Sequence, residues 1–142
     1  MQVSEIMTRS VELIDPNTRV KDAAERMRDD NVGALPVGEN DRLVGMVTDR
    51  DIAVRAVAAG RAPTTTAVRD VMSEKVFYCF EDDAVEEAGR LMAEHQVHRL
   101  PVLNRGKRLV GIVALADLAR ASDAAAREAI CGISEPTGVP RR

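Results

Sequence analysis

The sequence predicts an α/β (α+β) fold in which two β-α-β-β-α repeats pack by pseudo-two-fold symmetry into one module. The first observation is an internal duplication, which indicates the architecture before any single residue is interpreted. The duplicated pairs of segments are residues 3–8 and 68–73, residues 34–37 and 99–102, and residues 42–45 and 108–111. The offset is 65 residues for the first two pairs and 66 for the third, so the second copy carries one extra loop residue. The second observation is size: about 60 residues alone make a marginal core, so the two copies are expected to share one.

The first half of each copy predicts an extended segment followed by an amphipathic helix. The extended segments are residues 11–14 and residues 76–80. A turn offers Thr18 as the N-cap of the first helix. Apolar residues then recur at the spacing of one helix face. These residues are Val20, Ala23, Ala24 and Met27 in the first copy, and Val85, Ala88, Gly89 and Met92 in the second.

The second half of each copy predicts two short strands and another helix. The strands are residues 34–37 and 43–48 in the first copy, with residues 109–113 as the later strand of the second. A helix is expected from Asp49 to Ala59, with Gly60 placed to end it. The predicted boundaries are residues 5–60 for repeat 1, 61–67 for a linker, 68–122 for repeat 2, and 123–142 for a C-terminal helix and a flexible tail.

Composition excludes several function classes. The net charge of −3 gives no general attraction to nucleic acid or to an anionic membrane, so neither is expected as a partner. No apolar run approaches the roughly 20 residues that span a bilayer. The first residues lack the pattern of a signal peptide, and two cysteines are too few for a disulfide framework. The expected location is therefore the reducing cytoplasm.

The strand-to-helix junction at residues 45–51 is the best candidate for binding chemistry. Gly45 permits close approach of a backbone or a ligand. Thr48 stands where its hydroxyl and the following helix N-terminus suit a phosphate. Asp51 offers two carboxylate oxygens, which can accept both hydroxyls of a ribose. Thr48 and Asp51 are equally well explained as ordinary helix caps, and spacing alone leaves both interpretations open.

At this point the chain resembles the tandem CBS domains, also called the Bateman module. Members carry a Gly-x-x-Thr/Ser-x-x-Asp motif, which matches residues 45–51 here. They also open with an Ile/Val-Met-Thr/Ser segment and contain a Leu-Pro-Val strand. All three elements occur in order and twice, from about Glu5 to Ala119. The resemblance implies an adenosine ligand bound in a cleft between the repeats.

Carried over residue by residue, the resemblance assigns a first site. Asp51 corresponds to the ribose contact and Thr48 to the hydroxyl near phosphate, with Gly45 in the same motif. The segment before the first strand and the Leu-Pro-Val strand correspond to the residues that frame the adenine. Those residues are Met7, Thr8, Ser10, Val11, Ala34, Leu35 and Pro36.

The second copy departs from the motif. Gly111 and Asp117 are kept, but Ala114 stands where a hydroxyl is expected, and a methyl group cannot donate to phosphate. This second site, with Leu100 and Pro101 on its strand, is therefore expected to be weaker, adapted to another ligand, or empty.

The basic pair His98 and Arg99 precedes the second Leu-Pro-Val strand, where the first copy has Gly33 and Ala34. A similar His-Arg element meets phosphates in the gamma subunit of the AMP-activated kinase. The resemblance therefore implies a phosphate-binding role, which arginine geometry suits. The alternative is a pair of surface cations. Arg50 has the same two interpretations, and the exposed one is favoured.

The sequence thus supports a regulatory sensor that binds AMP, ADP or ATP, with NAD or S-adenosylmethionine as alternatives. The adenosine nucleotide is a regulatory ligand, and no cofactor or metal is required. The competing hypothesis is a ligand-independent dimeric assembly protein with vestigial clefts. No nucleophile or catalytic motif is recognised, so an enzyme is not expected. A homodimer through Ile52, Val57, Leu115 and Leu118 is expected, with an unidentified protein effector receiving the signal.

Overall fold

The computed structural model describes residues 1–9 and 11–135 and divides the chain into two compact units. The first-repeat unit comprises Glu12–Val76, and the second-repeat unit combines Met1–Val11 with Phe77–Arg142. The predicted flexible tail beyond residue 135 lies outside the described residues. None of the described helices is long and apolar enough to cross a membrane.

The first-repeat unit contains a helix, a two-stranded sheet and a second helix. Its elements are α1 (Val20–Asp30), β1 (Ala34–Glu39), β2 (Arg42–Thr48) and α2 (Asp49–Asp51), and α2 continues as a π-helical segment (Ile52–Val57). β1 and β2 are antiparallel. The extended segment predicted at residues 11–14 forms no strand, because only Ile14 pairs with Val37 in a single parallel bridge. The predicted cap is also wrong: α1 begins after Arg19, with no side-chain cap, rather than at Thr18.

The second-repeat unit shows the full predicted order and one further helix. Its elements are β3 (Cys79–Phe80), α3 (Val85–His95), β4 (Arg99–Leu103), β5 (Leu109–Ala114), α4 (Leu115–Ala121) and α5 (Asp123–Ile133). The sheet order is β3-β4-β5, with β3 parallel and β5 antiparallel to β4. α5 packs closely on α3, since a Cβ added at Gly132 would lie 2.4 Å from the Cα of Ala93. The α/β class and the repeat are confirmed.

Each unit is completed by the segment that precedes the other repeat in the chain. In the second-repeat unit, Thr8 pairs with Ile112, and the backbone N–H of Val3 donates to the carbonyl of Asp83 at 2.9 Å. In the first-repeat unit, Ser73 pairs in the same way with Met46. We call residues 1–9 and 62–73 the exchanged segments. The second of these includes most of the predicted linker.

The predicted linker is bonded to the first-repeat unit along most of its length. The backbone N–H of Val20 donates to the carbonyl of Thr66 at 2.9 Å, and that of Lys21 donates to Pro63 at 3.0 Å. The Thr66 hydroxyl donates to the carbonyl of Ala62 at 2.7 Å, and Thr66 is buried. This segment is therefore part of a folded unit rather than a free connection.

The buried side chains form two clusters, one in each unit, instead of the single shared core that the sequence suggested. The exchanged segments supply the apolar groups that a lone repeat lacks. Val3 and Met7 join the second-repeat cluster, and Val68 and Val71 join the first-repeat cluster. Leu118, expected on a dimer surface, is fully buried in the second-repeat core, so that prediction is wrong.

The first prediction tests the exchange. Val3→Ala removes two buried methyl groups from the second-repeat core, and we expect the free energy of unfolding to fall by about 2 kcal/mol. Urea denaturation followed by circular dichroism measures the change. The matched control is Val44→Ala, at a valine that is 40% exposed, which is expected to stay within about 0.5 kcal/mol of the parent. Equal effects of the two variants would contradict the packing described.

Candidate functional site

The first motif forms a reciprocal capping box where β2 meets α2. The Thr48 Oγ1 atom accepts a hydrogen bond from the backbone N–H of Asp51 at 3.1 Å. The backbone N–H of Thr48 donates in return to Asp51 Oδ2 at 2.9 Å. The helix-cap interpretation of this spacing is thus correct, and it fixes both side chains in place.

The capping box uses only part of the hydrogen-bonding capacity of the two side chains in the first motif. None of the described residues donates a hydrogen bond to Asp51 Oδ1. The Thr48 hydroxyl uses a lone pair in the cap, so its O–H proton remains able to donate. Both residues are half-buried. A fixed acceptor and a fixed donor therefore lie side by side at the surface of the first-repeat unit.

The second motif has the same backbone arrangement but different side-chain bonding. Asp117 Oδ2 accepts a hydrogen bond from the backbone N–H of Ala114 at 2.8 Å, as in the first motif. Ala114 has no side-chain acceptor, so the reciprocal bond of the cap is absent. Asp117 Oδ1 pairs with the guanidinium of Arg120, and Asp117 is buried. Both oxygens of this carboxylate are therefore engaged within the unit.

The motif glycines are explained by close contact with the exchanged segments. A Cβ added at Gly45 would lie 2.8 Å from the Sδ atom of Met72 and 2.8 Å from the carbonyl oxygen of Ser73. A Cβ added at Gly111 would lie 2.7 Å from the carbonyl oxygen of Thr8. Backbone approach, one of the two explanations offered by the sequence, therefore accounts for both glycines.

The structure places Met7 and Thr8 beside the second motif rather than the first. Thr8 exchanges two backbone hydrogen bonds with Ile112, at 2.8 and 2.9 Å. Val11 is half-buried in the same unit, and Ser10 lies outside the described residues. The segment beside the first motif is residues 72–73. Comparison of the two copies did not reveal this, because the exchanged segments are similar in sequence and nothing in either one indicates which unit it joins.

The Leu-Pro-Val strands contribute mainly to packing. Ala34 is half-buried and lies directly across β1–β2 from the motif threonine. Leu35 and Leu100 are members of the two hydrophobic cores, and Pro36 and Pro101 are buried as well. Of the strand residues predicted to frame an adenine, Ala34 is thus the one with exposed surface.

The predicted phosphate-binding residues are exposed. Arg99 begins β4 and pairs across the sheet with Ala114, which places it next to the second motif. The carbonyl of the preceding residue, His98, accepts from the backbone N–H of Leu115 at 2.9 Å, so its position is fixed at the helix start. Arg50 is exposed at the first motif, as the favoured interpretation expected.

The cysteines and histidines do not gather at one place. Burial, followed by the charge of Asp83, raises the pKa of the Cys79 thiol to about 12, which keeps it protonated at neutral pH. Cys131 is exposed on α5, and the His95 ring stacks on Phe77 with 3.6 Å between centroids. Among residues 1–9 and 11–135, no three His, Cys, Asp or Glu side chains are grouped to hold a metal ion.

Comparison with known proteins shows the family. The CBS domain model matches residues 3–57 and 68–124, so the chain belongs to the CBS-domain family as a tandem pair, the type of module that serves regulation. The CBS domain-containing protein YhcV of Bacillus subtilis is 44% identical over 134 residues, covering 93% of this chain and 94% of YhcV. Hypoxic response protein 1 of Mycobacterium tuberculosis is 40% identical over 117 residues, covering 82% of this chain and 81% of that protein.

Solved structures agree with this membership. Hypoxic Response Protein I, crystallised with two coordinated zinc ions, has a TM-score of 0.78 at 38% identity, covering 85% of this chain and 98% of that one. The CBS domain pair of MJ0100, in complex with 5-methylthioadenosine and S-adenosyl-L-methionine, has a TM-score of 0.74 at 26% identity, covering 84% and 94%. CBSX2 in complex with AMP has a TM-score of 0.72 at 28% identity, covering 85% and 95%.

The second prediction tests the difference between the two caps. Thr48→Ala removes the side-chain acceptor of the first cap, and we expect the free energy of unfolding to fall by about 1 kcal/mol. Ala114→Thr supplies the missing acceptor in the second copy and is expected to raise it by a similar amount. Urea denaturation of both variants measures the two shifts. A loss of stability in both variants would contradict this account, because a threonine at residue 114 would then not act as a cap.

Proposed function

We propose that this protein is a regulatory sensor that binds an adenosine-containing ligand at the first motif. AMP, ADP and ATP are the preferred ligands, and NAD and S-adenosylmethionine remain candidates because they share the adenosine. The observation that carries the proposal is the Oδ1 atom of Asp51, which accepts from none of the described residues, beside the hydroxyl proton of Thr48. The adenosine ligands of MJ0100 and CBSX2 support the choice of ligand class.

The carboxylate of Asp51 is the proposed ribose contact. A ribose presents two adjacent hydroxyl donors, and an ionised carboxylate is an acceptor with lone pairs to spare. The capping bond holds Oδ2 and thereby directs Oδ1 to a fixed position. A preset acceptor loses little side-chain freedom when the ligand binds, which favours affinity.

A phosphate group of the ligand is the proposed partner of the Thr48 hydroxyl. The Thr48 hydroxyl donates to a phosphate oxygen without giving up its capping bond. The overall charge of −3 means that any attraction for a nucleotide anion has to be local. The CBS resemblance implies a phosphate-binding role for the exposed residues His98 and Arg99, which belong to the second repeat. Arg50, which is exposed on α2 at the first motif, is a further basic candidate.

The proposed output is a change of conformation or of oligomeric state, passed to a separate protein effector in the cytoplasm. A ligand shifts such an equilibrium only by its differential affinity for the two states. No catalytic step is proposed.

A ligand-independent assembly protein is the second candidate. The observation that favours it is the second motif, where Ala114 lacks a hydroxyl and Asp117 is fully engaged. Under this hypothesis both motifs act only as helix caps, and no adenosine compound stabilises the fold.

The third prediction separates these two functions. Asp51→Ala removes an ionised acceptor, which is worth about 1.5–3 kcal/mol, so nucleotide affinity is expected to fall by more than about tenfold. Isothermal calorimetry and thermal shift with AMP, ADP, ATP, NAD and S-adenosylmethionine provide the measurement. Asp49→Ala is the control because it removes a neighbouring exposed carboxylate with the same change of charge. If no compound in the panel raises the melting temperature of the parent protein, the assembly function is favoured.

The fourth prediction concerns self-association. We propose a homodimer through the π-helical segment, where Val57 is 68% exposed. Sedimentation at tens of micromolar is expected to give a dimer, and Val57→Lys is expected to shift the protein toward monomer because it places a charge in an apolar contact. Val44→Lys, at an exposed valine on β2, is the control. A monomeric parent protein would contradict the proposal.

A further inference from the structure

The two motif aspartates differ in how much of each carboxylate is available to a ligand. Asp51 Oδ2 and Asp117 Oδ2 both accept from the backbone N–H three residues earlier, at 2.9 and 2.8 Å. The two remaining oxygens differ. Asp51 Oδ1 has no partner among the residues that the structure describes, whereas Asp117 Oδ1 pairs with Arg120.

Arg120 and Asp117 both lie on α4, where the arginine side chain covers the buried carboxylate of Asp117. Arg120 follows Asp117 by three residues, a spacing that brings side chains together on one helix face. The Asp117 side chain is 10% exposed and that of Arg120 is 73% exposed. The guanidinium therefore approaches from the solvent side, the side from which a ligand hydroxyl would have to come.

The matching position in the first repeat cannot make this pair. The offset of 66 residues that aligns Asp117 with Asp51 also aligns Arg120 with Val54. Valine has no donor, and Val54 is itself exposed. The position three residues after the motif aspartate thus differs between the copies, and Arg55, one residue further along, donates to the carbonyls of Val71 and Met72 instead of to Asp51.

We propose that this position determines which motif accepts a ribose: Arg120 occupies the second motif's carboxylate, and Val54 leaves the first motif open. This inference rests on the proposed nucleotide-binding function and adds a stoichiometry of one nucleoside ligand per chain. It also predicts that restoring a hydroxyl at Ala114 is not sufficient to open the second motif. A ribose arriving at Asp117 has to displace a charged donor already in place, and a charge-assisted hydrogen bond is stronger than one from a neutral hydroxyl.

The test exchanges the two residues and measures affinity and stoichiometry by isothermal calorimetry with AMP and ATP. Val54→Arg is expected to weaken binding at the first motif by about three- to tenfold, since an exposed arginine competes only modestly for a carboxylate. Ala114→Thr alone is expected to leave one site per chain, and Ala114→Thr with Arg120→Val is expected to give two. Arg120→Lys in the Ala114→Thr background keeps the positive charge and is expected to keep one site.

Each outcome decides the proposal. Equal stoichiometry for Ala114→Thr and for the double variant overturns it, as does unchanged affinity in Val54→Arg while the parent protein binds. A parent protein that binds two ligands with equal affinity also overturns it and leaves the nucleotide-binding function intact. If neither the parent protein nor the double variant binds, the nucleotide-binding function fails and this inference fails with it. Urea denaturation of the Val54 and Arg120 variants, which change exposed side chains, verifies that each remains folded.

Discussion

The close contact between each motif glycine and an exchanged segment is the constraint on which the rest of the structure depends. Gly45 and Gly111 have no side chain because a backbone and a methionine pass within 3 Å of where a Cβ would be. That contact brings apolar residues into cores that about 60 residues would fill poorly. It also fixes the end of the strand from which the motif threonine or alanine projects.

The two motifs share this backbone frame but carry different side chains at their helix caps, so they present different chemistry to a ligand. In both repeats the aspartate is held by the same backbone N–H, so its geometry is set by folding rather than by a ligand. The side chains near the carboxylate differ, and among them are a hydroxyl and a valine in one copy, a methyl and an arginine in the other. Duplication has thus kept the element that builds the junction and varied the atoms that a ligand would meet.

The sequence predicted the repeat, the helices and hairpin strands, and the core stripes that include Met27 and Met92, because all of these depend on local periodicity. It did not predict which unit each exchanged segment joins, because residues 3–8 and 68–73 are nearly equivalent in pattern. For this reason the sequence assigned Met7 and Thr8 to the first motif, whereas the structure places them beside the second. The state of Asp117 was also missed, although Arg120 three residues later on a helix was the available signal.

The exchange of segments determines which fragments of this chain contain a complete folding unit. A fragment that ends at the repeat boundary near Gly60 keeps the first motif but loses residues 62–73, the strand partner and apolar side chains of its own unit. The continuous fragment 12–76 contains every part of that unit. The other unit is discontinuous in sequence, so producing it alone requires a new connection between its two pieces. Evolutionary repeat and folding unit are therefore different divisions of this chain.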